Sequence, residues 1–162
     1  MERKIGLTTL VIVSFIVFSM AQAPAVRAQE GQDAGACSKA SVAGTWGFTT
    51  NGTVVGIGPR ASVGIITFDP TGNLVSGKVT ESLNGSITDE TFSGTYTVNP
   101  DCTGRLSFEL FDLSGNKTLT GTVDTVFDDN VREVRAIFTS AVLPNGTPLA
   151  TVIIADGRKL FK

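Results

Sequence analysis

The chain contains no histidine, and that absence excludes more than any motif present establishes. A Ser-His-Asp or Cys-His arrangement has no base on which to be built, so hydrolase chemistry of those types falls away. Two cysteines are the whole thiol complement, and two thiolates without imidazole do not complete a zinc site. Clustered cations are missing too: the net charge is −2 and the charged side chains are scattered singly. Nucleic-acid binding works through clustered Lys and Arg, so no nucleic-acid partner is expected. No glycine-rich strand-to-helix fingerprint occurs, and no stretch repeats its apolar residues at a helical period. No cofactor and no metal is implied; Asp128, Asp129 and Asn130 could suggest calcium, but the remaining ligands and their spacing are lacking, and a plain acidic turn is the simpler reading.

One long apolar run does occur, at the start. MERK is basic, IGLTTLVIVSFIVFSM is apolar but short for a membrane span, and small residues lead into AVRAQE. This order reads as a signal peptide, residues 1–28, with cleavage after Ala28 preferred to cleavage after Ala23 because Pro24 would follow the latter bond. The expected location is secreted or periplasmic, with no membrane span in the mature chain. In an oxidising compartment an even pair of cysteines is most simply a disulfide, here Cys37 to Cys102.

Residues 29–43 are small and polar and read as a flexible lead-in held by Cys37. From Gly44 the composition turns to Thr, Val, Ile and Phe in short runs broken by Gly, Asn, Asp and Pro, which is strand composition with turn punctuation. Strands are expected near 44–55, 61–68, 73–83, 86–98, 104–111, 117–127, 131–141 and 149–155, with a short piece at 158–161. FDPTGN (68–73) and FDLSGN (111–116) begin turns with Asp and end them with Gly-Asn, and Asn84-Gly85 is a two-residue hairpin signal. Short loops throughout favour an all-β, single, eight-stranded, antiparallel up-and-down β-barrel over residues 44–162, because closure removes the exposed edges. In that topology the loop after the fourth strand and the start of the first share one end, so Cys37 and Cys102 can meet there. Asn51, Asn84, Asn116 and Asn145 lie in Asn-x-Ser/Thr sequons, three of which are explained by the turn preference of Asn-Gly.

Period-two alternation assigns an inner face: Trp46 and Phe48; Val75, Val79 and Leu83; Phe92, Tyr96 and Val98; Leu106, Phe108 and Leu110; Leu119, Val123 and Phe127; Val134, Ala136 and Phe138. Gly77, Gly94 and Gly121 fall on the same faces, and either let the strands coil or leave room for a ligand. Parity also places two charges inward, Glu81 toward the far end and Arg132 at the end where Cys102 sits. Tyr96 could approach Arg132 there, so that phenol and guanidinium orient a ligand's carbonyl or carboxylate; both could equally be rim residues whose polar ends reach water. The candidate ligand-binding set is Tyr96, Arg132, Glu81, Phe92, Phe108, Val123 and Phe138.

Taken together, GTWGFTTNGTV (44–54), ASVGIITFDPTGNLVSG (61–77), GTYTVNPDCTGRLSF (94–108) and VREVRAIFTSAVLPNGTPLATVIIADGRK (131–159) resemble a group of small exported bacterial barrels similar to allene oxide cyclase and its dirigent and lipocalin-like relatives. That resemblance implies an eight-stranded barrel with an apolar lumen that folds around, cyclises or carries small hydrophobic molecules. None of the relatives' catalytic motifs can be matched to residues here, and fold alone does not settle function. Two classes therefore remain: a barrel that takes an apolar small molecule into its lumen, with or without cyclase or isomerase action by shape, and a filled structural or interaction module of the cell envelope or exterior, for which oligomers are conceivable.

Overall fold

The computed structural model describes residues 37–160; the segment read as a signal peptide and most of the lead-in lie outside them. Eight antiparallel strands close into a barrel: β1 Gly44–Val54, β2 Gly58–Phe68, β3 Asn73–Leu83, β4 Ser86–Val98, β5 Thr103–Asp112, β6 Lys117–Asp128, β7 Glu133–Val142 and β8 Thr151–Lys159. Each strand pairs with its sequence neighbours, and β8 returns to β1 with Trp46 opposite Lys159 and Val54 opposite Thr151. The expected pieces at 149–155 and 158–161 are one continuous strand, because its whole length has a partner in β1.

The hairpin turns use the chemistry their residues supply. Asp69 Oδ1 accepts from the backbone N–H groups of Thr71, Gly72 and Asn73 at 2.8–2.9 Å, and Asp112 Oδ1 accepts from those of Ser114 and Asn116. The two turns close opposite ends of the barrel. One reading of the inner face is overturned. The β3–β4 register shifts between Leu74 and Gly77, so Leu74 is buried in the place expected for Val75, which is 56% exposed. A bulge reverses parity beyond it, and counting alternate residues through it puts the wrong side chain inside.

The lead-in is also more structured than expected. Lys39–Val42 form a single helical turn, α1, capped by reciprocal bonds between Ser38 and Ser41. The Cys37–Cys102 disulfide, Cα atoms 4.9 Å apart, ties this segment to the β4–β5 turn. Such a bond fits an extracytoplasmic compartment. Among the described residues no helix is long and apolar enough to cross a membrane.

Candidate functional site

The barrel interior is organised in layers along its axis. Call the end where β1 begins the upper end. There α1 sits in the mouth as a plug: Val42 is fully buried and Cys37 nearly so. Within the turn Lys39 O accepts from the Ala43 N–H at 2.9 Å, while the later carbonyls lack helical partners, and barrel side chains bond three carbonyls of the turn. Trp46 Nε1 donates to Val42 O at 2.9 Å, Lys159 Nζ to Ser41 O at 2.8 Å, and the Tyr96 hydroxyl to Lys39 O at 2.9 Å, sharing its one proton with Asp69 O. Lys39 Nζ reaches out of the plug to Thr71 O at 3.1 Å. Burial of the phenol, and next to it the Asp69 charge, pushes the Tyr96 pKa up to about 12. Burial holds the Lys159 ammonium below the usual lysine range.

Beneath the plug lies a cavity of about 110 Å³ whose wall is almost wholly apolar. Four phenylalanines form a chain of edge-to-face contacts around it: Phe48 to Phe92 at 5.8 Å between centroids, Phe92 to Phe108 at 6.2 Å, and Phe108 to Phe138 at 5.8 Å. This is the favoured mutual geometry of aromatic rings. The inward glycines explain how so many rings fit. Phe48, Phe92 and Phe108 each face a glycine directly across the ladder, at Gly64, Gly77 and Gly121. A Cβ added at any of the three would stand 2.5 Å from a carbon of its partner's ring. Gly77 and Gly121 are seats for rings, while at Gly64 the added Cβ would also stand 2.4 Å from the Lys78 carbonyl oxygen. Gly94 differs: its added Cβ would come within 2.0 Å of the Ser107 carbonyl oxygen, so there the strands themselves approach too closely for a side chain.

The floor of the cavity is polar. Arg60 and Ser62 on β2, Thr50 on β1 and Glu81 on β3 are all buried, and form one contiguous block across three strands. Arg60 Nη1 donates to Thr50 Oγ1 at 2.8 Å, Thr50 and Ser62 share a hydrogen bond of 2.7 Å, and Arg60 Nη2 is ion-paired with Glu81 Oε2. The guanidinium also lies 5.5 Å from the centre of the Phe138 ring, across the lumen on β7. Its cross-strand partner on β1 is Gly52, where an added Cβ would come within 2.0 Å of the Val152 carbonyl oxygen on β8, a close approach of strands. Arg60, Ser62 and Thr50 line the cavity, whereas Glu81 stands behind Arg60 and does not. Toward the lower end Val54, Ala141 and Ile153 are buried below the polar block.

Of the expected site residues, Phe92, Phe108, Val123, Phe138 and Tyr96 come together as walls of this one cavity. Tyr96, however, contributes its ring to the wall while its hydroxyl is taken up by the plug. Arg132 is elsewhere. It lies in the turn before β7, half exposed, with its guanidinium on the Asp129 carboxylate at 3.0 Å, and it is not part of the cavity wall. The expected Tyr96–Arg132 mouth is thus replaced by a plug. Glu81 is inward as expected, but its partner is Arg60, which sequence reasoning missed by starting the second strand at residue 61. Alternation carried back from Ile66 through Ser62 would have reached it. The acidic turn is used by arginines: Asp128 pairs with Arg135 and Asp129 with Arg132.

No family model and no curated protein matches the chain. Among solved structures it is similar to EF1p2_mFAP2b bound to DFHBI, at 12% identity and a TM-score of 0.54, covering 76% of this chain and 99% of that one. It is also similar to the S-type phycobiliprotein lyase CPES from Guillardia theta, at 8% identity and a TM-score of 0.40, covering 76% of this chain and 91% of that one. The first likeness speaks to the closed-barrel fold and nothing narrower; the second is too distant to argue from. Neither likeness shows kinship with allene oxide cyclase or dirigent barrels.

Proposed function

We propose that this protein is an exported barrel that binds one small apolar molecule in its lumen. The observation that supports this most directly is the cavity of about 110 Å³, ringed by phenylalanines, in an interior that could have been filled. An apolar cavity of roughly 150 Å³ takes up a benzene molecule, so the size here points to a ligand on the scale of a single ring and not to a fatty acid. Export rests on the apolar N-terminal run of the sequence, and the disulfide agrees with it. Cyclase or isomerase action would require the walls only to hold one reactive conformer; the resemblance to cyclase barrels supports it. The reading as an interaction module has one observation in its favour, an outer face on which Ile137 and Ile154 pair and both stand about half exposed.

Trp46 is the only tryptophan and lines the cavity, so it serves as a built-in reporter. Saturating benzene is expected to raise the midpoint of thermal unfolding by mass action and to alter Trp46 emission. Val123→Phe, which fills the lumen from β6, should abolish both responses. A wild-type protein indifferent to benzene, xenon and other ring-sized apolar molecules would overturn the lumen reading and leave the interaction module.

A further inference from the structure

We infer that the ligand of this lumen is a neutral, ring-sized molecule bearing a hydroxyl group that is held by Arg60 and Ser62, and that carboxylates of the same size are rejected. The inference rests on the lumen reading above and specifies its chemistry. A lone guanidinium at the floor of an apolar cavity would select anions. This one is already neutralised, because Glu81 is ion-paired with it from behind, and both are nine-tenths buried. A ligand carboxylate would place a second negative charge beside a single positive one, away from water, where an uncompensated charge costs several kcal/mol. A neutral oxygen carries no such penalty.

The donors and acceptors facing the cavity fit a hydroxyl. A guanidinium has five N–H donors; here one is committed to Thr50 and one faces Glu81. The others leave capacity toward the lumen. Ser62 shares one hydrogen bond with Thr50 and retains acceptor capacity on Oγ. A ligand hydroxyl would accept from Arg60 and donate to Ser62, with its ring stacked among Phe48, Phe92 and Phe138. A plain hydrocarbon would leave that capacity unused, and a carbonyl would leave the Ser62 acceptor unused.

Two isosteric pairs test this by calorimetric titration of the disulfide-bonded protein at pH 7: toluene against phenol, and benzamide against benzoate. Phenol is expected to bind at least about tenfold tighter than toluene, the scale of one charge-assisted hydrogen bond. Benzamide should exceed benzoate by a similar factor. Benzoate binding as well as benzamide overturns the charge argument; phenol and toluene binding alike overturns the polar subsite while leaving the lumen reading intact. If none of the four binds, the lumen reading itself fails. The double variant Arg60→Met with Glu81→Leu removes the whole pair, a replacement that buried ion pairs often tolerate. It should bring phenol affinity to within about twofold of toluene affinity, whatever the absolute affinity of either; a retained phenol preference overturns the proposal. Ser62→Ala, a smaller change, should lower the ratio of phenol to toluene affinity severalfold, and no such loss would equally overturn it.

Discussion

The inward glycines divide into two kinds that spacing alone does not distinguish, and the difference has a measurable consequence. At Gly121 a new methyl group would meet only the edge of the Phe108 ring, which can swing toward empty volume in the cavity. At Gly94 it would meet the Ser107 carbonyl, which is part of a ladder and cannot move alone. Overpacking of a core usually costs about 1–3 kcal/mol. Gly121→Ala should fall in that range on urea unfolding and should also weaken benzene binding, since the displaced ring enters the lumen. Gly94→Ala should cost more than about 3 kcal/mol or prevent folding. Equal costs at the two sites would show that ring seats and strand crossings are not the distinction drawn here. In the sequence, the glycines at 77, 94 and 121 were legible as inward positions, but not their roles, because alternation gives the face of a residue and not the direction of the ring opposite. Arg60 was hidden by a boundary: a Gly-Pro pair precedes it, turn punctuation that hid the start of β2.

The strands themselves were largely written in the alternation of β-branched and aromatic residues, down to the disulfide's common end. Parity failed within a strand where a register shift intervened, at Leu74 and Val75, since a bulge leaves no mark in composition, and at Arg132, which precedes β7 and so has no strand face. The plug α1 was invisible for a different reason. Four residues, KASV, carry no helical period, and the turn exists because side chains of β1, β4 and β8 accept the task of bonding its carbonyls. Tyr96 is the central anchor. Its phenol has a folded pKa of about 12 against an unfolded value near 10, so the protonated form is favoured by folding. The stability this contributes is fully present below pH 10 and is lost as pH rises through 12. Tyr96→Phe is therefore expected to lose about 1–2 kcal/mol at pH 7, because the Asp69 carbonyl loses its donor and the Lys39 carbonyl keeps only the Ala43 N–H. It should also flatten the alkaline limb of the stability profile between pH 10 and 12 relative to wild type. Parallel profiles for the two proteins in that window would dissociate the phenol from the plug.

For the molecule as a whole, the disulfide and the plug's own contacts act on different states, and their magnitudes decide what reduction does. Linking residues 65 apart in sequence removes loop entropy from the unfolded chain worth about 4 kcal/mol in the chain-entropy model. That contribution does not depend on whether the plug is seated. Seating is held separately, by burial of Val42, about 1.5–3 kcal/mol, and by side-chain bonds to three plug carbonyls, about 1 kcal/mol each. These exceed thermal energy several times over, so the plug should remain in the mouth when the covalent tie is cut. Cys37→Ser with Cys102→Ser is accordingly expected to lower the urea midpoint by an amount equivalent to about 4 kcal/mol. Benzene affinity of the protein that remains folded should change less than about threefold. A variant of undiminished stability would mean that the crosslink constrains little in the unfolded chain. A folded variant that lost its affinity, or bound much larger apolar molecules than the parent, would mean instead that the disulfide is what keeps the lumen closed and sets the size of what enters it.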